Sequence, residues 1–465
     1  PGITSIASLY LRDEEQLLAQ FSDPEDAYLR ILVPAKVNLA MEHVRRKSLF
    51  FDIWILMLTI WMVTLGRRWP IPEHPIVAQI LSAKVQGNNQ SEDNMHIPMS
   101  SPDITAAEIA AVNAVLSTRW LSMGPKIDEF DQAFAAQLGI RHAIGVNSGT
   151  SGLHLAMIAA GISDGDEVIT PSFSFIASAN CVLYERGRPV FVDIDPLTGN
   201  IDPSRIAEAI TERTKAIIPV HAFGQPADMD PILAIAREHN LCVIEDACEA
   251  IGAEYKGHRA GTLADAAVFA FYPNKQMTTG EGGMIVTGND AWAGLFNSLR
   301  NQGRDVFDGW LNHTRLGYNY RMDEMSAALG LAQLKRIEEL LEKRAQIAAW
   351  YNERIDEIPG LEKPYIAPTT TRMSWFVYVI RCGDGIDRNR LIEYLKEQGV
   401  PSRAYFTPIH LQPFYQQQFG WRRGDLPITE KAGDTFLALP FSGVMTEEQV
   451  EYVCEMLREG VARQG

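Results

Sequence analysis

Ala270-Phe271-Tyr272-Pro273-Asn274-Lys275-Gln276-Met277-Thr278-Thr279-Gly280-Glu281-Gly282-Gly283 decides how this chain is read. An apolar, strand-like stretch from Ala266 to Phe271 runs into it. A second strand, Met284 to Thr287, leaves its glycine-rich end. Lys275 is thus held by proline and glycine chemistry rather than on a solvated helix face, which fixes its direction. An amine so held suits Schiff-base formation with a carbonyl. A single lysine beside a turn is ordinarily a surface lysine, and three other segments argue against that here.

Upstream, Val243-Ile244-Glu245-Asp246-Ala247-Cys248-Glu249 is an apolar strand ending in acids, which places a carboxylate at the carboxyl edge of a sheet. Open α/β sheets bind ligands at that edge. A carboxylate paired with a pyridinium nitrogen would keep it protonated, as pyridoxal phosphate chemistry requires. Strand alternation turns Glu245 to the opposite face and leaves Asp246 for that task; a helix cap is the structural alternative. Further upstream, Val146-Asn147-Ser148-Gly149-Thr150-Ser151-Gly152-Leu153 passes from a short strand into an apolar helix. Backbone amides at a helix start make a phosphate site, with Gly149, Thr150 and Ser151 as its expected contacts, against a plain N-cap. In Thr170-Pro171-Ser172-Phe173-Ser174-Phe175-Ile176-Ala177-Ser178, an aromatic ring is available to stack on a planar cofactor.

Together, these segments make the chain from about Met95 onward resemble the DegT/StrS-type sugar-nucleotide aminotransferases, over roughly 370 residues. Also matching are Trp120 to Pro125, Gly317-Tyr318-Asn319-Tyr320-Arg321, Ala327 to Leu334 and Pro408-Ile409-His410-Leu411-Gln412-Pro413-Phe414. The resemblance implies an α/β fold-type I pyridoxal-phosphate transferase, with a large mostly parallel sheet domain at 95–345 and a small α+β domain at 346–465. By position it makes Lys275 the catalytic lysine and Asp246 the pyridinium partner, and it sets Phe175 against the cofactor ring. Glu249 falls where many relatives carry glutamine or histidine near the cofactor's 3-oxygen, to which an ionised glutamate cannot donate. Asn319 matches an asparagine that a neighbouring subunit lends to the phosphate, so a homodimer with a shared site is expected. Ala270 departs from the pattern, since many members have a phosphate-binding serine there; such a lost contact costs about 0.5–1.5 kcal/mol. The family's sugar dehydratases carry histidine at position 275, so the lysine favours amino transfer.

The expected reaction moves an amino group, with glutamate as donor, onto a keto sugar nucleotide. A UDP- or dTDP-linked 4-keto-6-deoxyhexose destined for a surface polysaccharide or glycan is the expected acceptor, with ping-pong kinetics. The competing readings are a non-catalytic pyridoxal phosphate or sugar-nucleotide binding scaffold, and a membrane-associated transferase that this half merely supports.

Residues 1–70 resemble the tail of a bacterial polyprenyl-phosphate sugar-phosphate transferase, through Pro1-Gly2-Ile3-Thr4, Ile31 to Lys36 and Arg45 to Asp52. A mostly helical appendage, fused to the enzyme through a polar linker at 71–94, is expected from it. A first residue of proline suggests a piece of a longer product. Apart from Thr59 and Thr64, Ile53 to Leu65 is apolar between basic flanks, but thirteen residues of helix span only ~20 Å of a ~30 Å hydrocarbon core. Contact with the membrane interface through 49–69, at the inner face of the membrane, is therefore expected rather than a span. A buried helix is the alternative.

Composition fits an enzyme with ample core: 46% of the 465 residues are hydrophobic. Residues 1–94 hold 9 basic and 11 acidic side chains, the remainder 33 and 47. That acid excess argues against nucleic acid as a partner. The five cysteines show neither metal-ligand spacing nor a disulfide framework, which suits a reducing cytoplasm. Helices are predicted near Ala106–Leu116, Lys126–Leu138, Met322–Tyr351, Arg388–Gln398 and Glu447–Glu459, and a strand at Trp375–Arg381.

Overall fold

The computed structural model describes residues 96–305 and 312–464, with Val33 and Lys36 besides. The expectations for the transferase-like tail, the linker and the interfacial helix fall outside these residues. Among the described residues, no helix is long and apolar enough to cross a membrane.

From Ile97 onward the chain is organised by a seven-stranded sheet. Its strands are β1 (His142–Val146), β2 (Glu167–Pro171), β3 (Arg188–Val192), β4 (Thr214–Ile217), β5 (Cys242–Asp246), β6 (Ala266–Ala270) and β7 (Gly283–Thr287), in the order β1-β7-β6-β5-β4-β2-β3. β6, β5, β4, β2 and β3 run parallel. β7 is antiparallel to both its neighbours, β1 and β6. The connection across Lys275 explains the reversal. Its twelve residues form no helix and return the chain beside β6 as an antiparallel neighbour.

Alternation along the strands covers both faces. Val268 and Ile285 turn to one side, where α3 (Gly149–Ala159), α4 (Ala177–Tyr184) and α6 (Asp290–Arg300) supply Leu155, Met157, Cys181 and Phe296. Phe269 and Met284 turn to the other, against Phe130 and Phe134 of α2 (Pro125–Leu138). There α5 (Met229–His239) packs Ile232 and Ala236 over Ile217 and Val243. Helix α1 (Ala106–Thr118) precedes these elements and is closed by a capping box between Thr105 and Glu108.

The long helix predicted over 322–351 is two helices, α7 (Glu324–Lys335) and α8 (Ile337–Ile355). Arg336 interrupts them: its N–H donates to the Gln333 carbonyl, and its guanidinium is held by Asp103, Glu108 and Glu339. Beyond α8 lies a second, antiparallel sheet in the order β8 (Leu361–Glu362), β9 (Tyr378–Cys382), β11 (Phe436–Leu439), β10 (Arg403–Ala404). It is backed by α9 (Arg388–Glu397) and α10 (Glu447–Ala462) around its own core of Tyr351, Tyr378, Leu391 and Val453. The strand predicted from Trp375 starts only at Tyr378. Trp375 has a left-handed backbone (φ 51°), and the N–H groups of Ser374 and Phe376 donate to the carbonyls of Gly224 and Phe223. Residues 374–376 are thereby tied to a loop of the large sheet instead of to their own.

Candidate active site

The carboxyl ends of β1, β5 and β6 meet the amino end of β7 at one edge, since Gly283 pairs with both Val146 and Ala270. A cavity of ≈ 450 Å³ opens there, and Gly149, Thr150, Asp246, Glu249 and Lys275 are among its walls. With Phe175 as a further wall, four segments separated by up to 126 positions in sequence converge here.

α3 points its N-terminus into this cavity. Ser148 caps it, its Oγ accepting the Ser151 N–H at 3.1 Å. Glycine is required for the close approach. A Cβ on Gly149 would lie 2.8 Å from the Ala270 Cβ, and one on Gly283 2.7 Å from the Gly149 nitrogen. Gly149 and Thr150 line the cavity, whereas Ser151 does not. Its hydroxyl donates to Asn147 Oδ1 at 2.7 Å and meets Ser148 Oγ at 2.9 Å. The cap takes Ser151 out of the expected set of contacts.

Asp246 ends β5 and is buried. Its Oδ2 accepts from Ser178 Oγ at 2.6 Å and its Oδ1 from the Cys248 N–H at 3.2 Å. Ser174 Oγ lies 2.7 Å from Ser178 Oγ and completes a hydroxyl chain behind the carboxylate. Glu245 turns the other way, as alternation predicts. It accepts from His221 Nε2 and from the backbone N–H groups of Gly261, Leu263 and Ala264 at 2.7–3.0 Å.

Lys275 Nζ lies 3.5 Å from Glu249 Oε1 and 3.7 Å from the centre of the Phe376 ring. Glu249 Oε2 accepts the Phe223 N–H at 2.9 Å. Burial pushes the Glu249 carboxyl above its ordinary value, with Lys275 and the Phe223 N–H pulling the other way. Phe175 borders the cavity but is 63% exposed. Asn319 is exposed and not a wall of this cavity; its carbonyl accepts from Asn147 Nδ2 at 3.4 Å.

Sequence reading missed Ser178, Phe376 and Tyr405. Ser178 lay in a segment read for its aromatic ring, where its separation of four from Ser174, one helical turn, was the available signal. Phe376 and Tyr405 are also cavity walls, from the region of the second sheet, and no local pattern marks them.

A profile of the DegT/DnrJ/EryC1/StrS aminotransferase family matches residues 102–458. The chain belongs to that family. It is 43% identical over 369 residues to a GDP-perosamine synthase of Caulobacter vibrioides, covering 78% of this chain and 98% of that one. DesV of S. venezuelae superposes with a TM-score of 0.74 at 34% identity, over 79% of this chain and 99% of that one. Spr1654 of Streptococcus pneumoniae in its PLP form gives 0.76 at 27% identity, over 80% and 100%. The protein is a pyridoxal phosphate-dependent aminotransferase of this family, and the fold-type I architecture expected from its sequence is the one observed.

Proposed function

We propose that the chain transfers the amino group of glutamate to the keto carbon of a nucleoside-diphosphate 4-keto-6-deoxyhexose, making an amino sugar for a surface polysaccharide or glycan. The observation that carries this reading is the placing of Lys275 in one cavity with the Asp246 carboxylate and the glycine-bounded N-terminus of α3.

These residues fit pyridoxal phosphate. The glycine-bounded N-terminus of α3, with Gly149 and Thr150, would hold the phosphate; Asp246 would hold the ring nitrogen; Lys275 would hold the aldehyde carbon covalently. Bound there, the cofactor supplies an electron sink for the carbon that loses its proton. The chain's own residues do the rest. Ser178 and the Cys248 N–H hold the Asp246 carboxylate in place by hydrogen bonds. Lys275, once free, takes a proton at Nζ from the donor's α-carbon and returns it on the other side of the exchange. Phe376, Phe406 and Tyr405 wall the space and exclude water.

The similarity to a GDP-perosamine synthase supports GDP as a carrier alongside UDP and dTDP. We further read 95–345 and 346–465 as the large and small domains, and a second copy of the chain as the source of Asn319 for each site. Residues 1–70, read as a transferase tail, would place amino-sugar synthesis next to loading of a polyprenyl carrier at the inner face of the membrane.

The test is spectroscopic. Glutamate should shift the cofactor's absorbance band in the purified chain, and one of the GDP-, UDP- or dTDP-linked keto sugars should restore it. A band that glutamate leaves unchanged rejects this donor. A glutamate-shifted band that no keto sugar restores rejects this acceptor class.

A further inference from the structure

The mechanism above gives Glu249 no part and uses Phe376 only as a wall. Both touch the Lys275 amine, from opposite origins in the fold. Glu249 follows β5, whereas Phe376 precedes β9.

Their placement is built into the surrounding structure. The buried Arg344 guanidinium donates to the carbonyl of Lys275 at 2.9 Å and to that of Phe376 at 3.0 Å, clamping the two backbones together. Gln276, the residue after the lysine, donates through Nε2 to the Glu249 carbonyl at 2.6 Å and to Ser374 Oγ at 2.8 Å. The Phe376 N–H donates to the carbonyl of Phe223, whose own N–H holds Glu249 Oε2. A carboxyl oxygen and the face of a ring are thus presented to one nitrogen by a closed set of hydrogen bonds. Both groups attract a cation: the carboxylate by charge, the ring by its quadrupole.

We propose that Glu249 and Phe376 are positioning residues that form a cation seat for Lys275, holding its nitrogen while it carries the proton taken from the donor carbon. Resting on the transamination reading, the seat adds a site for the step between proton removal and proton return. In the first half a C–H bond breaks and an N–H bond forms at Nζ. In the second, that N–H bond breaks and a C–H bond forms at the receiving carbon, so no other reactant is needed. The seat keeps the ammonium inside the cavity instead of losing its proton to water. The other titratable groups at this cavity are Asp246, Cys248, Tyr272, Glu281 and Tyr405, and Tyr272 and Glu281 are common to every variant compared below. Burial pushes the Cys248 thiol and the Tyr405 phenol up, so both stay neutral, and Asp246 is common to every variant compared below.

The experiment uses the full chain freed of cofactor. Lys275 is labelled with formaldehyde and borohydride over a pH series, and the extent is read by mass spectrometry, with exposed lysines as internal controls. In Glu249→Gln the pH midpoint for Lys275 should fall by about one unit or more, because the removed charge favours the ammonium. In Phe376→Leu it should fall by less, and the surface lysines should not move. A midpoint that stays or rises in Glu249→Gln overturns the seat. If that variant does not fold, as judged by circular dichroism, an unmoved midpoint in Phe376→Leu overturns it. Because no donor, sugar or cofactor enters the assay, its failure is distinct from failure of the amino-transfer reading.

Discussion

Glu245 and Asp246 are consecutive carboxylates on one strand, and the fold treats them oppositely. Glu245 is fully enclosed and receives one imidazole and three backbone N–H groups. Its acceptor capacity is spent on fixing the loop over 261–264. Asp246, on the other face, receives one hydroxyl and one backbone N–H and borders the cavity. A saturated carboxylate holds structure together, whereas one with lone pairs left over toward a cavity can bind. Burial alone does not separate the two; the number and origin of their donors do.

The largest effect that could break this contrast comes from its functional side. Lys275→Ala should abolish turnover in a chain that still folds, seen as no product in a discontinuous assay and an unchanged circular dichroism spectrum. Asp246→Asn, nearly isosteric, should lower kcat by about 10²–10⁴-fold while altering stability little. Glu245→Gln should do the reverse. It sets an amide against donors that need an acceptor and should cost about 2–4 kcal/mol in a denaturant titration. If Asp246→Asn unfolds the chain while Glu245→Gln only slows it, the contrast is wrong. Ser178→Ala removes one hydrogen bond to Asp246, and about a tenfold loss in kcat/KM is expected.

The smallest effect concerns a third buried carboxylate, Glu108, at the α1–α7 contact. Burial by itself would raise it, but the Thr105 hydroxyl, Arg336 and Gln333 hold it at about 2. A depressed carboxyl stabilises the fold above its unfolded value near 4.5, and that contribution is lost as pH falls toward 2. Glu108→Gln should therefore flatten the fall of the thermal midpoint over that window, while leaving the pH profile of turnover near neutrality unchanged.

Much of the contrast was legible in sequence. Period-two alternation separates Glu245 from Asp246 without coordinates, and the strand-to-glycine-to-helix passage at 146–153 marks the helix N-terminus. What stayed hidden depended on contacts across the chain. The reversal of β7 depends on how the helix-free connection across Lys275 returns, and apolar runs read alike in either direction. The break at Arg336 is set by acids contributed from 103 and 108, invisible to local periodicity. Ser151 matches a phosphate contact by residue type, and only the competing acceptors Asn147 and Ser148 show where its hydroxyl goes. Phe376 reaches Lys275 because residues 374–376 bond to the 223–224 loop, a pairing between segments some 150 positions apart.

The most direct test of the central claim is transfer of isotope. The full chain is given ¹⁵N-glutamate and a nucleoside-diphosphate 4-keto-6-deoxyhexose, and the sugar product is examined by mass spectrometry alongside Lys275→Ala. The account predicts a ¹⁵N-amino sugar from the wild type and none from the variant. An unlabelled sugar from the wild type across the GDP, UDP and dTDP series, or equal labelling by the variant, would contradict it.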